Sequence, residues 1–207
     1  MALVLERFCE HNLRVKAAKC TYGSNKVGYL GHVVSAKGVH TDLNKIKTVS
    51  LLAEPQSFEQ VRSFLGLAGH YRNFFRKFTT LAAPLVALTK KGTKFHWSKE
   101  DSESFLLLKS LLCQAPVLAY SRFDQPCVLQ TDVSDIGLGA VLTQFDFDGN
   151  ERVVSYASRP LTDRKKGYSA TEKEVLAILL ATDYYRFYFL GKHFTLDTDH
   201  SALRWLH

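Results

Sequence analysis

Two short apolar segments in the second half of this chain end in nearly the same way. Cys127-Val128-Leu129-Gln130-Thr131-Asp132 and Phe194-Thr195-Leu196-Asp197-Thr198-Asp199 are both β-prone, and each closes on threonine followed by aspartate. A carboxylate at the end of a buried strand is costly unless something compensates it. Two such ends on neighbouring strands, joined by a glutamate from a packed helix, form an oxygen-rich pocket for a hard divalent cation. A pair of ions held that way can activate water and stabilise the leaving oxygen in phosphodiester hydrolysis. The plainer reading is that each aspartate only caps the next turn or helix, as Asp199 before Ser201-Ala202-Leu203 would do well. The repetition weakens that reading and leaves it open.

The surrounding pattern predicts an α/β layout. Val117–Tyr120, Cys127–Asp132, Leu138–Phe145 and Arg152–Ala157 are short, β-prone and separated by turn residues. Ser169-Ala170-Thr171-Glu172 is a capping box, and the apolar run Val175–Ala181 makes the helix behind it largely buried. His193–Asp199 reads as a last strand, and a helix begins at Ser201. Strands followed by helix, strand and helix pack as helices on a mixed sheet.

The first half reads differently. Residues 2–12 predict an amphipathic helix. Arg14–Tyr22 and Val27–Ser35 predict two strands joined through Gly23-Ser24-Asn25. Asp42 opens a helix that stops before Pro55, and Ser57 with Gln60 gives a start signal of the capping-box type. The helix this signal opens carries Phe58, Val61, Phe64, Leu65, Ala68, Tyr71, Phe75 and Phe78 at helical spacing. Pro84 marks a short helix ending in Lys90-Lys91-Gly92, and Ser98 caps one that runs through Phe105 and Leu112.

Charge divides the chain at about the same place. The net charge is +7, but residues 1–97 hold 15 Lys and Arg against 5 Asp and Glu, while residues 98–207 hold 12 against 15. A basic excess of this size suits a polyanion, because neutralising phosphates releases counterions; a merely soluble basic surface is the alternative. Arg62, Gly66, Gly69, Asn73 and Arg76 fall on one helical face opposite the aromatic stripe, with His70 at its border. Two glycines there, each costing a helix about 1 kcal/mol against alanine, point to close approach of something to the backbone. With two arginines on the same face, a nucleic-acid groove is the better reading than another helix. Cys9, Cys20, Cys113 and Cys127 are scattered and read as reduced intracellular thiols, with cytoplasmic particle and nucleus not distinguished. No apolar run of about 18 residues is present, so no membrane partner is expected.

Three motifs carry a resemblance. Thr131-Asp132-Val133-Ser134-Asp135-Ile136-Gly137-Leu138-Gly139-Ala140, Tyr168-Ser169-Ala170-Thr171-Glu172-Lys173-Glu174-Val175-Leu176-Ala177-Ile178 and Thr198-Asp199-His200-Ser201-Ala202-Leu203 resemble, in order, the ribonuclease H motifs of gypsy-class retrotransposon Pol polyproteins. By that resemblance, Asp132, Glu174 and Asp199 are catalytic residues that hold two magnesium ions, with manganese as an alternative. Glu172 stands where a cap residue reaches back to the Ser169 amide, which leaves Glu174 as the ligand. Asp135 reads as a turn residue, Asp197 as facing away from Asp199, and Asp183 as too far along the helix. His200 touches substrate, caps or packs.

Upstream, Val27-Gly28-Tyr29-Leu30-Gly31-His32-Val33-Val34-Ser35 and Val61–Phe75 resemble the primer-positioning hairpin and thumb helix of the same proteins. Leu30, Gly31 and His32, together with the thumb face, are then expected to contact an RNA–DNA hybrid or a primer–template. The remainder of Pol is a second expected partner. The implied architecture is the end of a reverse transcriptase palm (1–40), a helical thumb and connection (41–97) and a ribonuclease H-like mixed sheet with helices (98–207). The family's tyrosine–any–aspartate–aspartate polymerase turn and its fourth nuclease aspartate have no match. The expectation is therefore a fragment of a reverse transcriptase and ribonuclease H. Its parent hydrolyses RNA in hybrids, and the alternative is a catalytically inactive nucleic-acid-binding or assembly module.

Overall fold

A computed structural model describes residues 2–114, 116–198, 200 and 203, with only the backbone at 43–45. The first half contains α1 (Ala2–Glu10), strands β1 (Lys26–Tyr29), β2 (His32–Ser35) and β3 (Gly38–Thr41), and helices α2 (Leu43–Ser50), α3 (Phe58–His70), α4 (Phe78–Leu88) and α5 (Lys99–Cys113). The second contains β4 (Cys127–Val133), β5 (Gly137–Phe145), β6 (Glu151–Pro160), short α6 (Asp163–Lys166), α7 (Ala170–Tyr184), short α8 (Arg186–Phe189) and β7 (Phe194–Asp197).

The predicted hairpin through Gly23-Ser24-Asn25 is not formed. Residues 14–22 hold one 3-10 turn at Ala17–Lys19, and the chain reverses at Leu30-Gly31, both at positive φ (49° and 81°). Such left-handed pairs match the twist of a two-residue hairpin, so the single strand expected over 27–35 becomes two. The β1-β2-β3 meander is antiparallel throughout.

The long helix expected from Phe58 to Phe78 is two helices. α3 stops at His70, a 3-10 turn covers Arg72–Phe74, and α4 starts afresh at Phe78. Aromatic side chains hold this break in place, since Tyr71, Phe74 and Phe75 are all buried. Pro84 lies inside α4 rather than at its start. The Ser57 hydroxyl accepts from the Gln60 amide as expected, but the Gln60 side chain accepts from the Gln56 amide, not from Ser57. The box at Ser98 is complete, closed by Asp101, and so is the one at Ser169, closed by Glu172.

Helices α2–α5 share one core around Val61, Phe64, Leu85, Phe105 and Leu108. The second sheet runs β6-β5-β4-β7, antiparallel except for the parallel β4–β7 pair. Helix α7 covers one face through Ala177 and Ala181, packed on Leu129, Leu138, Ala140 and Leu142. The start of α4 covers the other, where Thr79 bonds the Ser158 hydroxyl and Thr80 the Ser134 hydroxyl. Val117–Tyr120 is no strand. It makes one bridge from Leu118 to Val39 and one bond from Ala119 to Val153, tying the two sheets together without pairing fully with either.

Candidate metal site and nucleic-acid face

β4 and β7 are parallel neighbours, with Gln130 opposite Asp197, so their carboxyl ends point to the same edge of the sheet. Asp132 lies one residue before the end of β4, and its side chain is 23% exposed. Asp199 lies outside the described residues. Glu174 is buried on α7, on the stripe it shares with Ala177 and Ala181. Glu172 is spent on the cap: its carboxylate accepts from the Ser169 amide and hydroxyl at 2.8 Å each, and these bonds hold its pKa below the ordinary value. The two glutamates therefore occupy separate environments, Glu172 exposed at the cap as expected and Glu174 buried on the helix.

Strand alternation sets the geometry between the remaining carboxylates. Leu129 and Val133 turn to the α7 face, so Asp132 turns to the other, beside Gly139 and Lys77. The Asp132 side chain thus leaves the sheet on the face opposite the one that α7, which carries Glu174, covers. Among the described residues β7 ends at Asp197, opposite Gln130 and two positions short of the level of Asp132. Among the described residues no three His, Cys, Asp or Glu side chains converge. Positive charge is nonetheless accommodated at Asp132, where Lys77 Nζ stands 2.7 Å and an Arg76 nitrogen 3.7 Å from the same oxygen, Oδ2. The donors are hard oxygens in a place that takes a cation, which fits magnesium or manganese.

The other acidic residues separate cleanly. Asp135 is fully exposed, 3.5 Å from Lys173 Nζ, in the β4–β5 connection. Asp183 lines a pocket of about 310 Å³ between α7, β5 and β6, bordered by Arg72 and Arg159. His200 Nε2 lies 3.4 Å from the Thr171 hydroxyl at the start of α7.

On the basic side, Arg62, Gly66 and Gly69 do share an open face of α3. A Cβ added at either glycine would meet nothing within 4 Å, so no other described helix of this chain packs there. Asn73 and Arg76 lie beyond the helix end and leave that line. Asn73 accepts from the Tyr184 hydroxyl, and Arg76 turns toward Asp132. His70 is engaged with the hairpin, its Nε2 3.0 Å from the Leu30 carbonyl. His32 stacks on His70 and Phe74, with ring centroids 4.9 and 5.5 Å apart. The Leu30 side chain projects, 71% exposed, from a turn held underneath by protein groups.

Two residues of the site escape the sequence pattern. Tyr71 belongs to the aromatic core stripe, yet its hydroxyl donates to the Gly31 carbonyl at 2.7 Å. Lys77 has no motif around it. Its contact with Asp132 spans 55 positions, and the only local sign is a basic pair between two phenylalanines.

Residues 97–196 match the family described as the RNase H-like domain found in reverse transcriptase. The chain is 38% identical over 206 residues, 99% of its length, to the retrovirus-related Pol polyprotein from transposon 297 of Drosophila melanogaster. It is 31% identical over 202 residues, 97% of its length, to the transposon Tf2-3 polyprotein of Schizosaccharomyces pombe. It spans 19% and 15% of these relatives. Among solved structures it resembles the foamy viral protease-reverse transcriptase in complex with RNA/DNA hybrid (TM-score 0.77, 20% identity, covering 96% of this chain and 28% of that one). The dRH form of that protein, in complex with double-stranded DNA, gives a TM-score of 0.76 at 21% identity, covering 95% of this chain and 35% of that one. These likenesses establish an RNase H-like fold.

Proposed function

We propose that this chain, a retrotransposon Pol segment carrying an RNase H-like domain, is of the gypsy class and serves hydrolysis of RNA in RNA–DNA hybrids. The observation that carries the reading is the parallel β4–β7 pair, which runs Asp132 and the end of β7 toward one edge of the sheet, with buried Glu174 on the helix that packs on β4. Asp132, Glu174 and Asp199 would hold divalent ions there, and such ions supply water activation and charge neutralisation at the scissile phosphate. The protein's own part is to fix carboxylates on rigid elements. The Ser169–Glu172 box anchors the first turn of α7 and so sets where Glu174 stands.

Substrate binding falls to the other half. Arg62 with Gly66 and Gly69 offers a face where a phosphate backbone can approach closely, and the Leu30–Gly31 tip offers an exposed apolar contact. The foamy viral protein bound to a hybrid supports that partner class, and residues 1–40, 41–97 and 98–207 are read as palm end, thumb with connection, and nuclease. Exposed Leu3, Val4 and Tyr29 suit contact with the remainder of Pol. A second reading, an inactive nucleic-acid-binding module, is favoured by the lysine already seated on Asp132. A magnesium-dependent cleavage assay on a labelled hybrid, with Asp132→Asn as control, separates the two. Cleavage lost in the variant supports the nuclease. Tight, salt-sensitive binding without cleavage supports the second reading, and no binding even at low salt overturns both.

A further inference from the structure

We propose that Lys77 is a tethered cation on Asp132, which must swing away before a divalent ion binds there, so that nucleic-acid occupancy and metal loading are coupled. The inference rests on reading Asp132 as a metal ligand. Lys77 Nζ lies 2.7 Å from Asp132 Oδ2, and Arg76 reaches the same oxygen at 3.7 Å.

The contact is built by its surroundings rather than made by a loose surface lysine. Lys77 sits at φ 56°, a left-handed conformation costly for a residue with a Cβ. Its carbonyl accepts from the Thr80 and Leu81 amides and so starts α4. Two residues on, Thr79 bonds Ser158 on β6, and Thr80 meets Ser134 just past β4, which fixes the helix start over the sheet. The aliphatic stem then runs beside Gly139, where an added Cβ would rest in ordinary van der Waals contact, 4.0 Å from Lys77 Cγ.

A divalent ion at Asp132 and an ammonium group on the same oxygen repel one another, so each weakens the other's hold. Lys77 and Arg76 have an alternative partner when a phosphate backbone is near, because both are cations with more than two fifths of the side chain exposed. A polyanion that draws them off frees Asp132, and by linkage a metal at Asp132 frees Lys77 for the polyanion.

The test uses the full 207-residue chain and variants. Lys77→Gly is the informative change, because glycine favours the left-handed backbone there and the fold is kept. Mn2+ binding, followed by the electron paramagnetic resonance of free ion at low salt, should tighten about threefold in Lys77→Gly, the scale of a partly exposed ion pair. Asp132→Asn should lose the site. In parallel, acylation of Lys77 read by mass spectrometry should speed up in Asp132→Asn, and in the wild type on adding Mn2+.

If Mn2+ binds through Asp132, yet Lys77→Gly binds no tighter and labelling ignores the ion, the coupling is wrong while the metal reading stands. If Lys77 is protected by Asp132 but no variant binds Mn2+, the metal reading fails and takes the proposal with it. A hybrid oligonucleotide added to the wild type should raise Mn2+ affinity, and that rise should vanish in Lys77→Gly. An equal rise in both would also overturn the coupling.

Discussion

Every residue of β1 is exposed, whereas eight of the nine positions of β5 are buried. The β1–β3 meander has almost no core of its own and is held by polar groups from elsewhere. Tyr71 and His70 bond the carbonyls of its turn, and Tyr120 donates to Ser35 and Gly38. The β4–β7 sheet is held by its own apolar faces under α7 and α4. The first sheet is therefore expected to loosen without unfolding the chain, while loss of packing in the second should unfold the whole.

The largest effect should come from the self-supporting sheet. Leu129 is fully buried beneath α7, so Leu129→Ala should cost about 3 kcal/mol, from lost burial and a cavity. It should lower the thermal midpoint of the whole molecule, and a midpoint indistinguishable from wild type would break the comparison. Next comes Gly38→Ala. Gly38 has φ 127°, and an added Cβ would collide with the Leu118 carbonyl. About 2 kcal/mol of strain is expected. It should appear as faster hydrogen exchange at Val39 and Leu118, the bridge between the sheets, with the amides of β4 and β5 unchanged.

How much of this is legible in the sequence depends on the range of the interactions. The caps at Ser98 and Ser169 and the choice of Glu172 over Glu174 for capping rest on contacts within three residues, and the structure reproduces them. The hairpin differs because Gly23-Ser24-Asn25 has turn composition, whereas the real turn uses a leucine at positive φ whose position is set by Tyr71 and His70, 40 residues away. Helix α3 is shorter than its pattern because Tyr71, Phe75 and Phe78 keep helical spacing across a break that only their packing reveals. Arg76 leaves the line of Arg62, Gly66 and Gly69 for the same reason. Seating it near Asp132 needs the crossing of α4 over the sheet, which no local pattern encodes.

A matched pair of tyrosines sharpens the contrast further. Tyr71 and Tyr185 are both buried, and each donates to a backbone carbonyl, Gly31 and Ser155. Burial pushes both phenols above their ordinary value, Tyr185 most strongly, with Asp42 adding to the rise at Tyr71. The native state keeps these protons where the unfolded chain gives them up. The stability they contribute is therefore complete below about pH 10 and falls as pH climbs toward the raised folded values. Replacing either by phenylalanine should cost about 1 kcal/mol at neutral pH and flatten the alkaline decline. For Tyr185→Phe the loss should be global. For Tyr71→Phe it should be confined to exchange at Val33 and Val34, and a global loss there would mean that the meander is integral to the fold.

The smallest change in stability should accompany the most specific change in binding. Arg62 is exposed on the open face of α3, so Arg62→Ala should leave the free energy of unfolding within about 0.5 kcal/mol of wild type. If that face carries a phosphate contact, the slope of log affinity for a hybrid against log salt should become shallower by about one. Arg152 serves as the matched control, since it too is exposed but lies on the second sheet, where Asp146 holds it at 2.9 Å. Arg152→Ala should leave the slope alone. Equal slopes for the two variants would remove the α3 face from the binding surface. A loss at Arg152 alone would move the polyanion to the second sheet, where the cations around Asp132 already stand.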